Sequence, residues 1–196
     1  ARAAFGRLFL WALAMGLRII TPPAAEPVSL AEAKLHLRVE HDTEDDLISG
    51  LISAARSQCE HMLDRFVARQ TARLLIDAFP AGIRLKPSIV TVDSLVYVDS
   101  DGAEQTMDSG GYYLDDAQDP HWLLPAYGTD WPTTREEANA VRVTYQAGFE
   151  TCPAEIRSWI LLKVGSLYQH RESDSDRPAQ ASSFVDGLLD RWRVYS

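Results

Sequence analysis

One apolar stripe constrains this chain more than any other feature. Leu47, Ile48, Leu51, Ile52, Ala55, Cys59, Met62, Leu63, Phe66 and Val67 recur at intervals of three and four. That spacing is the period of a helix with one buried face. Glu44, Asp45 and Asp46 stand at its start, where the helix dipole favours negative charge, and Thr43 is placed to cap it. Arg65 and Arg69 lie near its end. The expectation is an amphipathic helix of about six turns, longer than average, forming the backbone of a helical core.

A second stripe offers a partner. Ile156, Trp159, Ile160, Val164 and Leu167 share one helical face, Pro153 suits the first turn and Glu155 suits the dipole there. Ahead of the long helix, prolines at 22, 23 and 27 hold the chain extended. Ser29 with Glu32 is a capping box for a short helix to about Val39, with Leu30, Ala33, Leu35 and Leu37 as apolar surface.

Between the two long helices the period changes from 3.6 to 2. Strands are expected over 71–76, 89–98 with a break at Asp93-Ser94, 105–107, 112–114, 121–124 and 140–145. In the last of these, Val141, Val143 and Tyr145 fall on one face and Arg142 and Thr144 on the other. Asp99-Ser100-Asp101-Gly102 is a hairpin turn, because Asp-Gly tolerates positive φ. After the second long helix, 172–183 is polar and reads as a linker, and 184–195 can form a short helix bearing Leu188, Leu189 and Trp192. The expected class is α+β: a helical core of one long and one returning helix, an inserted antiparallel β region and a tethered C-terminal helix. Its parts are an arm or extension over 1–20, helical core over 21–69, β insertion over 70–150, returning helix over 151–171, linker over 172–183 and a docking helix over 184–196.

Charge narrows the function. The 196-residue chain has a net charge of −9. Residues 1–20 carry three arginines and no acid, whereas residues 80–150 carry 4 basic and 12 acidic side chains. Such a balance argues against a protein that grips phosphates. Two cysteines, Cys59 and Cys152, make no disulfide framework and leave a single bridge open.

No nucleotide-binding glycine motif, zinc-protease motif or nucleophile elbow is present. Asp99 to Gly102 lacks the further ligands of a calcium loop. Cys59 and His61 point to different sides of a helix and make no metal pair. No catalytic residue, cofactor site or metal site is assigned. The apolar stretch from Leu8 to Leu17 resembles a short signal peptide but is too short to span a bilayer. A docking arm anchored by Phe5, Leu8, Phe9 and Trp11, or an extension upstream of a start at Met15, ranks above secretion.

The ordered segments carry a resemblance. They are Val28-Ser29-Leu30-Ala31-Glu32-Ala33-Lys34-Leu35-His36-Leu37-Arg38, His41-Asp42-Thr43-Glu44-Asp45-Asp46-Leu47-Ile48, Ala54-Ala55-Arg56, Arg69-Gln70-Thr71 and Val96-Tyr97-Val98-Asp99-Ser100-Asp101-Gly102. Further along come Trp131-Pro132, Val143-Thr144-Tyr145-Gln146-Ala147-Gly148-Phe149, Cys152-Pro153-Ala154-Glu155-Ile156 and Tyr168-Gln169-His170-Arg171-Glu172. Over about residues 17–196 this resembles the head–tail connector (adaptor) proteins of tailed bacteriophages and phage-derived gene transfer agents. The resemblance implies a structural protein rather than an enzyme. It implies a ring, usually twelve-fold, in the neck of a particle assembled in the bacterial cytoplasm. Its partners would be the portal protein and a stopper or tail-completion protein, with DNA passing through the channel without tight binding. It further implies that the C-terminal helix docks on the portal, through Phe184, Leu188, Leu189, Trp192 and Tyr195. Without the resemblance, packing of that helix in trans and folding back on its own chain are equally expected. The competing reading is a small hydrolase or carbohydrate-binding module using Asp115, Asp116 and His121, which requires those groups to converge in one concave pocket.

Overall fold

The structure, a computed structural model, describes residues 16–170 and 183–194, the side chains of Ser183 and Phe184 excepted. In chain order the elements are β1 (Gly16–Thr21), α1 (Leu30–Leu37), α2 (Asp45–Leu63), β2 (Gln70–Ile76), β3 (Ile83–Leu85), β4 (Ile89–Val98) and β5 (Glu104–Thr106). They continue with β6 (Tyr112–Asp115), β7 (His121–Pro125), β8 (Val141–Ala147), α3 (Ala154–Gln169) and α4 (Ser183–Gly187). The α+β class and the two-helix core with an antiparallel β insertion are as expected.

Two cores stand side by side. In the first, α2 contributes Ile48, Ile52, Ala55, Cys59 and Leu63, and α3 contributes Ile156, Trp159, Ile160 and Val164. Ser29 caps α1 through its hydroxyl, which accepts from the Glu32 amide at 3.2 Å. Arg157 then ties α3 to α1 by donating to Glu32 at 2.6 Å. In the second core, a five-stranded sheet of order β1-β2-β8-β4-β5 and a three-stranded sheet of order β3-β7-β6 share Leu74, Val143 and Leu95 with Ile83, Leu85 and Leu123. Every named strand pair is antiparallel. Strand β8 alternates as expected, with Val141, Val143, Tyr145 and Ala147 buried. The expected break at Asp93-Ser94 is a register shift against β8, inside a strand that continues.

Three expectations are corrected, and one strand is added. Residues 16–21 are not part of an arm: they are an edge strand paired with β2. Their six residues are all exposed, so no polar–apolar alternation marks them. The long helix is shorter at both ends. Glu44, not Thr43, is its N-cap, and the Thr43 hydroxyl instead lies 2.8 Å from His41 Nδ1. At the other end Asp64 turns left-handed at φ 52°, which stops the helix and sends Phe66 into the second core while Val67 stays in the first. The strand β3, three residues long, has no periodic signal of its own.

The two halves are joined at Glu60. Its Oε1 accepts from the amides of Val67 and Ala68 at 2.9 and 3.3 Å and from Gln70 Nε2 at 3.1 Å. Its Oε2 accepts from Arg56 at 2.9 Å, and Arg56 also donates to Glu26 at 2.7 Å. One carboxylate thus satisfies the backbone of the turn between α2 and β2, where buried donors need partners.

Candidate functional site and interaction surfaces

The C-terminal segment folds back on its own chain. Leu189 is fully buried in the helical core, and Val185, Leu188 and Trp192 pack around that core half-buried. Asp186 accepts from the Trp159 indole at 3.2 Å. The Val194 amide donates to the Leu63 carbonyl at 3.1 Å, which satisfies one of the free carbonyls at the end of α2. Instead of the single helix expected over 184–195, α4 gives way to a 3-10 turn at Asp190–Trp192. Of the tail residues named from sequence, the Phe184 side chain and Tyr195 lie outside the described residues, as do Phe5, Leu8, Phe9 and Trp11.

Arg65, placed from sequence only near the end of the long helix, holds the end of this tail. Arg65 is only 5% exposed. Its guanidinium lies 5.7 Å from the Phe149 ring centre and 6.0 Å from that of Trp192. The two rings meet edge to face at 5.5 Å. Arg65 is ion-paired with Asp119 and donates to the Ser88 hydroxyl at 3.4 Å. A buried guanidinium needs a counter-charge, and a desolvated cation–aromatic contact adds about 2 kcal/mol. No local signal marks this role, because Asp119 is 54 positions away.

Asp115, Asp116 and His121 line neither of the two main grooves of the described residues. The Asp115 carboxylate accepts from the Ala117 amide at 3.2 Å and so shapes its own turn. His121 Nε2 lies 3.6 Å from Asp119, a residue already engaged by Arg65. A groove of about 500 Å³ lies elsewhere, between the proline-rich lead-in and the loop after β8, lined by Pro22, Glu26, Gln70, Phe149 and Arg157 among others. Among the described residues no three His, Cys, Asp or Glu side chains gather to hold a metal, and no helix is long and apolar enough to cross a membrane. Cys59 and Cys152 are free thiols, and burial pushes both up to about 12, which keeps them unreactive.

His121 carries a pH signature. Burial holds its imidazole below the usual value, against the opposing charges of Asp119, Asp116 and Asp115 and with a small contribution from Arg65. The folded state therefore favours the neutral ring, so stability is full above the ordinary histidine range and falls as pH drops below about 6.5. In melting experiments between about pH 7 and pH 5, His121→Asn is expected to lose less stability on acidification than the parent. Equal losses in the two proteins would refute the assignment.

The outer face of the five-stranded sheet is polar and partly basic. Arg18 sits opposite Arg73, and Arg73 opposite Thr144. Arg73 donates to the Thr144 hydroxyl at 3.1 Å, and Arg142 donates to Glu104 of β5 at 2.6 Å. The turn into β5 is the expected hairpin. The Asp99 carboxylate accepts from the Asp101 and Ala103 amides at 3.0 and 2.9 Å and from Gln105 at 2.8 Å, with Gly102 at φ 87°. Those donors hold Asp99 below the ordinary carboxylate range. The excess acid of 80–150 stays at the surface, with Asp101, Glu104, Asp108, Asp116, Glu136 and Glu137 all exposed.

The comparisons with known proteins agree with the resemblance read from sequence. Residues 27–92, about a third of the chain, match the family model of phage gp6-like head-tail connector proteins. No curated protein matches the sequence. Among solved structures, the fold is similar to a chain in the neck of an empty gene transfer agent particle computed with C6 symmetry. The TM-score is 0.78 at 23% identity, covering 92% of this chain and 96% of that one. A chain in the virion of a native gene transfer agent particle matches with a TM-score of 0.76 at 21% identity and the same coverage. A chain in the neck of a native particle computed with C12 symmetry matches at 0.74 and 21%, again with the same coverage. Helical core and β insertion are thus shared as one fold.

Proposed function

We propose that this chain is a head–tail connector of a phage-like particle: a structural subunit of the neck, one copy of a ring through which DNA passes. The observation that carries this reading is the similarity in fold, over 92% of the chain, to a chain in the neck of a gene transfer agent particle. The family-model match over 27–92 supports it independently. The chemistry agrees with a structural role, since Asp115 shapes its own turn and His121 faces Asp119, which is engaged by Arg65. The acidic surface also suits a channel component, because like charge weakens sticking of DNA.

In this reading the ring is twelve-fold, its head-side partner is the portal protein and its tail-side partner a stopper or tail-completion protein. The tail segment serves the portal contact. Leu189 clips it to its own helices, while Leu188 and Trp192 lie at the border between that core and the surface. Depleting the chain from a producing strain is expected to leave filled heads and separate tails in electron micrographs, with joining restored by the intact chain. A chain lacking residues 183–196 should restore far fewer joined particles although it still folds. Normal joined particles without the chain would overturn the connector reading, and normal joining by the truncated chain would remove the tail from it.

A further inference from the structure

The five-stranded sheet has two open edges of opposite character. At one, β1 exposes Leu17 at 38%, Ile19 at 46% and Ile20 at 46%, and among the described residues no strand lies beside its outer edge. Edge strands are normally blunted by charge, proline or brevity, and β1, six residues long with three exposed apolar side chains and one charge, invites another strand. Residues 1–20, which lead into and through β1, carry three arginines and no acid. At the other edge, β5 has three residues, all exposed, flanked by the exposed Asp101 and Asp108.

The faces correspond as well as the charges. By strand register, Arg18 lies on the same sheet face as Arg73 and Thr144, and so does Arg142, the partner of Glu104. Leu17 and Ile19 lie on the opposite, core-side face, opposite Leu74 and Ala72. Side-chain direction alternates along a strand, so a β1 strand set beside β5 with the sheet faces kept puts Arg18 on the side of Glu104.

Resting on the ring reading above, we propose that β1 of one copy adds beside β5 of the next, so that the sheets run on from subunit to subunit around the neck. The contact joins two different patches, which is the requirement for a closed ring rather than a symmetric dimer. The short β5 allows few backbone hydrogen bonds, and Arg18 of β1 meeting the acidic edge of Asp101, Glu104 and Asp108 sets the order of copies.

The test is cross-linking in particles that carry the full chain with Ile19→Cys and Gln105→Cys together, in a Cys152→Ser background, using a short bismaleimide. The expected result is a ladder rising in steps of one chain, absent from either single variant. Cross-linked dimers from Ile19→Cys alone would show a symmetric β1 contact and overturn the proposal. So would the lack of a ladder when microscopy shows the chain in the neck, and that outcome would leave the connector reading intact. Particles whose necks lack the chain would remove the connector reading and this inference with it. Ile19→Asp, at an exposed position, is expected to leave the subunit folded while lowering its occupancy in the neck severalfold, and unchanged occupancy would also overturn the contact.

Discussion

Replacing Trp159 by alanine is expected to cost about 3–5 kcal/mol of folding stability, because a large indole leaves a cavity that the two helices cannot close. Trp159 is 2% exposed, packs between α2 and α3 and donates to Asp186 of the tail. For a chain of this size the loss corresponds to a fall in melting temperature on the order of 10 °C. Denaturant titration followed by circular dichroism measures it. Trp159→Phe keeps most of the buried area and gives up the hydrogen bond, so it should cost nearer 1 kcal/mol. Leu189→Ala makes a useful contrast. Leu189 is as buried as Trp159, but it sits on a short terminal segment, so its cost is capped by the free energy of docking that segment. Equal costs for Trp159→Ala and Trp159→Phe would contradict this account of the core.

Gly148→Ala is the second large effect, at about 3 kcal/mol or more, and its origin is the backbone. Gly148 has φ 128°, a conformation that side chains disfavour. A Cβ there would lie 2.4 Å from the Ala68 carbonyl oxygen and 2.5 Å from Arg69 Cα, atoms that cannot swing aside. The Gly148 amide also donates to Ser88 at 2.9 Å, and the next amide, Phe149, donates to Val67 at 3.2 Å. Displacing this point moves Phe149 and therefore the ring that Trp192 packs against. Gly50→Ala in α2 is the control. Nothing stands within 4 Å of its Cβ, and removing a helical glycine should raise stability by about 1 kcal/mol. If the two alanines change stability by the same amount, close approach at Gly148 is not what holds this turn.

Much of this architecture is legible in the chain because its main elements repeat locally. The stripes of α2 and α3, the alternation of β8 and the Asp-Gly hairpin each depend on residues a few positions apart. Where the outcome rests on distant partners, local pattern says little. Asp64 ends α2 early because Phe66 is needed in the second core. Leu47, in the first turn of α2, is 42% exposed and Leu35, in the last turn of α1, is 81% exposed, so apolar character alone overstates burial near helix ends. Arg65 looks like a charge complementing a helix end, yet it is buried by Asp119, Phe149 and Trp192, from three other parts of the chain. The tail could equally have stayed apart, and what decides its place is a cavity for Leu189 that exists only after α2 and α3 have met.

Glu60 gives the molecule a mechanical property. Chains with two cores commonly flex at the connection between them, but here the connection is pinned by one carboxylate that holds the Val67 and Ala68 amides and the Gln70 side chain, and is itself braced by Arg56 and Glu26. A load on the sheet reaches α2 through these bonds without slack. The expected consequence is that the helices and the sheet tilt together instead of hinging at the turn between α2 and β2.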